Sequence, residues 1–126
     1  MAAAPTTLLI VDDEVRILAA LRRTLRREGY EILTAETTGR ALELLERYPV
    51  DLVLSDQKMP GMSGVELLAE AKRMRPAAAR ILITGWTEAV PKAEMESVGI
   101  EALIAKPWDD GQLKECLRRA LDEDGA

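Results

Sequence analysis

The stretch Thr7–Glu14, with the sequence TLLIVDDE, decides the fold. An apolar run this short, followed at once by acids, is typical of a strand that is buried on both faces of a sheet. Residues 14–28 then follow as an amphipathic helix, which Gly29 ends. The apolar face of this helix consists of Ile17, Leu18, Leu21 and Leu25. A buried strand that leads straight into such a helix is the repeating unit of an α/β protein.

The same unit recurs four more times along the chain. The further predicted strands are residues 30–35, 50–55, 80–84 and 102–105. The predicted helices are one capped by Thr37 or Thr38, then about 64–75, 87–98 and 110–121. Pro76 ends the third helix, and Pro91 predicts a late or broken start for the fourth, because proline cannot donate a helical hydrogen bond. Five consecutive βα units predict a parallel sheet with helices on both faces.

The composition indicates one globular domain. The chain has 126 residues, of which 48% are apolar and 31% are charged, a balance typical of folded proteins. Because Phe is absent and aromatic residues make up 3%, the core has to be aliphatic. The second helix, for example, is predicted to turn Ala41, Leu44, Leu45 and Tyr48 inward. We expect a single domain over 1–126, with its core at about 6–122 and with 123–126 as a tail or the start of a linker.

Charge and composition also narrow the classes of function. A net charge of -5 without a basic tail argues against nucleic acid or an anionic membrane as a partner of this domain. No apolar run approaches the ~20 residues of a membrane helix, and the first residues lack the pattern of a signal peptide. One cysteine, Cys116, fits the reducing cytoplasm. Because the chain contains no histidine, it can accept a phosphoryl group from a phosphohistidine but cannot be that donor.

Polar residues stand where four of the predicted strands end. Asp12 and Asp13 close the first strand, Asp56 the third, Thr84 the fourth and Lys106 the fifth. In open parallel sheets, ligands bind outside the carboxyl ends of the strands. We therefore expect these five side chains to meet at one edge of the sheet.

Three carboxylates gathered at one edge need positive charge beside them. Two like charges about 4 Å apart repel by roughly 4 kcal/mol at an effective dielectric constant of 20. Lys106 supplies one positive charge, and a divalent cation would supply more. Oxygen ligands alone select a hard ion such as Mg2+. A carboxylate nucleophile, a hydroxyl, an ammonium group and a metal are together the groups needed to move a phosphoryl group onto an aspartate.

Each of these residues also has a purely structural interpretation. The acids at 12–14 could cap a helix, Thr84 could be an ordinary strand-end residue, and Lys106 a surface charge. The conjunction of all five at strand ends favours the site. An aspartate-dependent phosphatase on a similar sheet would want an acid two residues after Asp56, where this chain has Lys58.

These residues and their neighbours resemble the motifs of the response regulator receiver family. The motifs that carry the resemblance are Asp12-Asp13, Asp56 followed by Met59-Pro60-Gly61, Thr84, and Lys106-Pro107. The resemblance covers about residues 6–122. It implies a flavodoxin-like (βα)5 fold, doubly wound, with strand order 2-1-3-4-5, and a cis peptide bond between Lys106 and Pro107.

The resemblance also implies a role for each motif residue. Asp56 matches the phosphoacceptor. The Mg2+ ligands would be Asp12, Asp13, Asp56 and the backbone carbonyl of Lys58. Thr84 matches the switch hydroxyl that bonds to the phosphoryl group, and Lys106 matches the lysine that pairs with the phosphate oxygens.

A receiver domain implies a signalling function in a two-component system. The donor would be a sensor histidine kinase or a histidine phosphotransfer protein, and phosphorylation would switch the conformation to control an output domain or partner outside these residues. Such a chain is not a multiple-turnover enzyme. Arginines on the outer face of the first helix are either solvated or help to dock the donor: Arg22, Arg23, Arg26 and Arg27. A homodimer through the last helix, the fifth strand and the helix before it is common in the family. The alternative is a phosphorylation-independent binding module on the same fold.

Three features set this chain apart within the family. Leu103 stands where many receivers have a switching aromatic residue, so the output face must respond in another way. Trp86 follows the switch region, and its bulk is predicted to shield an acyl phosphate from water. The sequence at 106–110, KPWDD, resembles receivers that precede cyclic-di-GMP phosphodiesterase domains or activators of sigma-54 polymerase.

Overall fold

A computed structural model of the chain describes residues 5–85 and 90–125. The strands in this part are β1 (Thr7–Val11), β2 (Glu31–Ala35), β3 (Leu52–Asp56), β4 (Ala79–Gly85) and β5 (Ala102–Lys106). The helices are α1 (Val15–Leu25), α2 (Thr38–Arg47), α3 (Gly64–Met74), α4 (Lys92–Val98) and α5 (Asp110–Gly125). Each strand leads into a helix, so the predicted βα alternation is confirmed.

The strands form one parallel sheet in the order β2-β1-β3-β4-β5. This is the flavodoxin-like order that the family resemblance implied. Side chains of a strand alternate between the two faces of its sheet, so β1 buries Leu9 and Val11 in one core and Leu8 and Ile10 in the other. The first core lies beneath α2, α3 and α4, and the second beneath α1 and α5. Both are lined by aliphatic side chains, as the lack of Phe required.

Local signals place the starts of the helices. The Thr37 hydroxyl accepts the Arg40 N–H at 3.1 Å and caps α2. Ser63 and Glu66 form a reciprocal capping box at the start of α3. Pro91 immediately precedes α4, which confirms the late start of this helix.

Two expectations about the helices were wrong. The last helix continues to Gly125, beyond the predicted end near Leu121, because backbone hydrogen bonding extends past the last buried turn. Tyr48 is 40% exposed instead of facing the core. It is the C-cap residue of α2, and its extended backbone turns the side chain away from the helix face.

None of the helices in the described ranges is both long and apolar enough to span a membrane.

Candidate functional site

The carboxyl ends of three strands bring acidic and basic side chains together. Asp12 directly follows β1, Asp56 is the last residue of β3, and Lys106 is the last residue of β5. The Lys106 ammonium group lies 2.7 Å from Oδ1 of Asp56 and 3.1 Å from Oδ2 of Asp12. Residues 94 positions apart in the sequence are therefore in direct contact, at the sheet edge where the strand ends were expected to meet.

Asp13 completes an acidic cluster with these two aspartates. Asp12, Asp13 and Asp56 each offer a carboxylate oxygen, and the three atoms lie within 4.8 Å of one another. Asp12 and Asp56 are buried, with 1% and 4% of their surface exposed, whereas Asp13 is exposed. Lys106 contacts two of these three carboxylates, so the cluster keeps an excess of negative charge. An oxygen-only donor set that opens to solvent on one side fits a hard cation that keeps some of its waters, such as Mg2+.

The backbone holds the Asp12 carboxylate in place. Its Oδ1 accepts the Glu14 N–H at 2.9 Å, and its own N–H donates to the Ala35 carbonyl at 3.2 Å. Burial is the main cause that raises the pKa of the Asp12 carboxyl, and the nearby charge of Asp56 adds to it. The Glu14 N–H and Lys106 act in the opposite direction.

Lys106 is the counter-charge that the structure provides. Burial alone would lower the pKa of this ammonium group, but its bonds to Asp56 and Asp12 and their charges outweigh burial and raise it. The group is therefore cationic at neutral pH. The peptide bond from Lys106 to Pro107 is cis, as the resemblance implied.

Thr84 lies in β4, and Lys58 follows the end of β3. Thr84 is buried near the end of β4, one residue beyond the residue that pairs with Asp56, and its hydroxyl donates to the Gly85 carbonyl at 2.9 Å. Lys58 lies in the turn after β3 with an exposed side chain. A switch role for Thr84 and a metal-ligating carbonyl at Lys58 stay predictions. Trp86, with its predicted shielding role, lies outside the described residues.

Two residues that support the site were missed by the sequence reasoning. Gln57 accepts the Gly64 N–H on its backbone carbonyl at 2.8 Å and the Val65 N–H on its side-chain Oε1 at 2.9 Å. A Cβ atom at Gly64 would overlap the backbone carbonyl oxygen of Asp56. The S-x-x-E pattern at 63–66 could have located the helix start, but no pattern specifies the direction of the Gln57 side chain.

A groove beside Lys106 lies between α1 and the start of α5, with a volume of about 680 Å³. It is lined by Ile17, Ala20, Arg23, Thr24, Lys106, Pro107, Trp108 and Asp110. One carboxylate oxygen of Asp110 accepts both the Trp108 indole N–H and the Thr24 hydroxyl, each at 3.1 Å. These two bonds join the α5 start to α1 and fix one wall of the groove.

Comparison with known proteins gives one consistent result. A family model described as the response regulator receiver domain matches residues 8–118. The hydrogenase transcriptional regulatory protein HoxA of Cupriavidus necator is 42% identical over 94% of this chain and 25% of its own length. The receiver domain of an HD domain-containing protein from Pseudomonas fluorescens is 34% identical, with a TM-score of 0.91 over 97% of this chain and 98% of that one. A CheY-like receiver domain protein from Methanospirillum hungatei is 35% identical, with a TM-score of 0.90 over the same shares. The chain spans about a quarter of the length of the first curated relatives it matches.

Proposed function

This chain belongs to the response regulator receiver family, and from that premise we propose that Asp56 is its phosphoacceptor. The observation that carries the proposal is the contact of 2.7 Å between the Lys106 ammonium group and the Asp56 carboxylate. It places a positive charge where the oxygens of a phosphoryl group on Asp56 would lie. Stabilisation of such charge by fixed groups is the main source of catalysis in phosphoryl transfer.

In the proposed reaction, a phosphoryl group passes from a histidine nitrogen to a carboxylate oxygen of Asp56. A carboxylate oxygen of Asp56 attacks the phosphorus of a phosphohistidine, the N–P bond breaks, and its electron pair returns to the imidazole nitrogen. The product is an acyl phosphate, whose charge Lys106 partly neutralises and to which the Thr84 hydroxyl donates. The switch returns to its starting state by hydrolysis: water attacks the phosphorus, inorganic phosphate leaves, and the Asp56 carboxylate is restored. The chain is thus a phosphorylated switch and not a multiple-turnover enzyme.

The acidic cluster is the proposed magnesium site. Asp12, Asp13, Asp56 and the backbone carbonyl of Lys58 would hold the ion. When bound, Mg2+ supplies positive charge for the phosphoryl oxygens. The support is a cluster of three carboxylate oxygens within 4.8 Å of one another, a donor set that hard cations prefer. Lys106 contacts two of these aspartates, Asp12 and Asp56.

The phosphodonor is proposed to be a sensor histidine kinase or a histidine phosphotransfer protein. The groove between α1 and the start of α5 opens beside Lys106 and combines apolar walls with Arg23. A donor helix packed there would lie within reach of Asp56. We place this exchange in the cytoplasm, in keeping with the single free thiol of Cys116.

The output is proposed to be a domain or partner outside these residues. The HoxA relative carries the name of a transcriptional regulatory protein, and the Pseudomonas fluorescens receiver belongs to an HD domain-containing protein. The higher identity of HoxA favours transcriptional output. The cyclic-di-GMP phosphodiesterase or sigma-54 output suggested by the sequence at 106–110 stays a prediction. A phosphorylation-independent binding module is the weaker candidate, because this chain keeps Asp56, Thr84 and Lys106 together.

Acetyl phosphate provides a direct test, because it can donate a phosphoryl group without a kinase. With Mg2+ present, intact-mass measurement should show one added phosphoryl group on the wild-type chain and none on Asp56→Asn. A chelator should abolish the addition. A folded wild-type chain that gains no mass, or an Asp56→Asn variant that gains it equally, would reject the proposal.

A further inference from the structure

We propose that Gln57 is a positioning residue for the magnesium site, acting through the turn that carries Lys58. The inference rests on the proposed function, since it concerns how the chain would hold that ion. Gln57 directly follows Asp56 and is half-buried. Its two oxygens both accept N–H groups from the first turn of α3.

The hydrogen bonds at the start of α3 form two separate groups. The first N–H groups of a helix have no partner within the helix. Glu66 accepts the Ser63 N–H at 2.9 Å, and Ser63 in return accepts the Glu66 N–H at 3.2 Å. The two N–H groups between them, from Gly64 and Val65, go to Gln57 at 2.8 and 2.9 Å. The capping box is therefore local to the helix, whereas Gln57 ties the helix to the end of β3.

The tie closes the turn at both ends. Gly64 packs so closely against the Asp56 backbone carbonyl that a Cβ atom would overlap it. Residues 57–63 therefore leave the end of β3 and return beside the Asp56 carbonyl. There Gln57 accepts the N–H groups of Gly64 and Val65. These bonds restrict both ends of the turn.

Lys58 is the next residue in the closed turn, and its carbonyl is the backbone ligand of the proposed site. A ligand contributes most when its orientation is set before the ion binds, and partners behind the ligands typically change metal affinity by 10–100-fold. The Gln57 amide has this position: it bonds to the peptide chain on the far side of the turn, not to the ion. Loss of the side-chain acceptor removes the bond from Val65 and leaves the backbone bond from Gly64 in place. The turn at Lys58 should therefore loosen, and the binding of Mg2+ should weaken.

Two substitutions test Gln57, and a third is a matched control. Gln57→Met keeps the length of the side chain but removes the acceptor, and Gln57→Ala removes the side chain. Ser63→Ala removes one hydrogen bond from the same helix terminus without touching the tie to β3. Isothermal titration of each unphosphorylated chain with MgCl2 gives the dissociation constant, and urea unfolding without Mg2+ gives the stability.

We expect about a tenfold rise in the Mg2+ dissociation constant for both Gln57 variants. Ser63→Ala should lose comparable stability but keep the wild-type constant. Amide exchange should show loss of protection at Val65 in the Gln57 variants only. Equal Mg2+ binding by wild type and the Gln57 variants, or equal weakening by Ser63→Ala, would overturn the inference and leave the proposed function standing. A wild-type chain without Mg2+ binding would instead overturn the proposed magnesium site, and this inference with it.

Discussion

At the scale of single residues, the metal-binding role proposed for Asp13 conflicts with stability. Its exposed carboxylate lies within 4.8 Å of the oxygens that Asp12 and Asp56 offer, while Lys106 contacts the latter two. The third negative charge therefore adds repulsion that the lysine does not offset. Sites built for a ligand commonly hold such charges at a cost to the free chain.

Asp13→Asn should accordingly make the metal-free chain more stable, by about 1 kcal/mol for a partly solvated charge pair. With Mg2+ present, the wild type should instead be the more stable of the two proteins. An ion at one hundred times its dissociation constant stabilises the wild type by about 2.7 kcal/mol, and the variant should gain much less because it lacks a ligand. Urea unfolding with and without Mg2+ measures both effects.

The control for this prediction is Glu31→Gln. Glu31 is exposed at the start of β2, the opposite end of the sheet from the site, so its loss should not alter the response to Mg2+. The prediction fails if Asp13→Asn is no more stable than wild type without Mg2+, or if both proteins gain equally from the ion.

Residues at the ends of strands were the most predictable part of the site. Asp12, Asp56 and Lys106 meet because parallel strands present their carboxyl ends at one edge. The spacing of apolar runs in the sequence is sufficient to derive that geometry. The role of Gln57 was not predictable in this way, because its two bonds depend on a side-chain direction and on a turn conformation that no periodic pattern specifies.

At the scale of the elements, α4 is held mainly by its C-terminal end. The helix is short, its first residues are exposed, and no side chain in the described part of the chain caps its start. Gly99 ends it in the left-handed conformation, with φ of 72°. There the Arg80 guanidinium donates to the carbonyls of Val98 and Gly99, each at 3.1 Å, and to that of Ala78 at 2.8 Å. One side chain thus joins α4 to the start of β4.

Arg80→Met should loosen α4 without unfolding the sheet. Hydrogen bonds to charged groups contribute about 1.5–3 kcal/mol, so the free energy of unfolding should fall by about 2 kcal/mol. Hydrogen–deuterium exchange should rise across 92–98 while β1 and β3 keep their protection. Arg73→Met is the control, because the exposed Arg73 bonds to Glu70 on its own helix. Unchanged exchange in α4, or an equal rise in the Arg73 variant, would contradict the assignment.

The lengths of the helices show which element boundaries a sequence can predict. Pro91 set the start of α4 correctly, because the lack of an N–H acts locally and does not depend on the rest of the fold. The end of α5 was placed too early because its last turns carry acidic residues without apolar periodicity. Hydrogen bonding along a helix can continue where the buried face has ended, and composition alone does not reveal this.

At the scale of the whole molecule, the edge strand β5 leaves an apolar side chain on the surface. Leu103 is 47% exposed and takes the place of the switching aromatic residue of many receivers. β5 pairs with β4 on one side. Along the chain α4 precedes β5 and α5 follows it, and the two helices pack on opposite faces of the sheet. The exposed residues of α4 carry charges of both signs, including Lys92 and Glu94. This is the α4-β5-α5 face through which a homodimer was expected.

Activation should therefore shift the chain from monomer toward dimer through Leu103. Beryllium fluoride with Mg2+, which mimics an acyl phosphate, should raise the sedimentation coefficient of the wild type. Leu103→Lys should remain monomeric, because a charge in the centre of an interface costs more than the apolar contact it replaces.

Tyr48→Lys is the matched control, since Tyr48 is a similarly exposed large side chain at the C-cap of α2, away from this face. A wild-type chain that stays monomeric with the mimic would exclude this dimer. Dimerisation of the Leu103 variant, or its loss in the Tyr48 variant, would instead place the interface on another surface. Binding of the mimic itself should be the same in all three proteins, because neither substituted residue contacts the acidic cluster around Asp56.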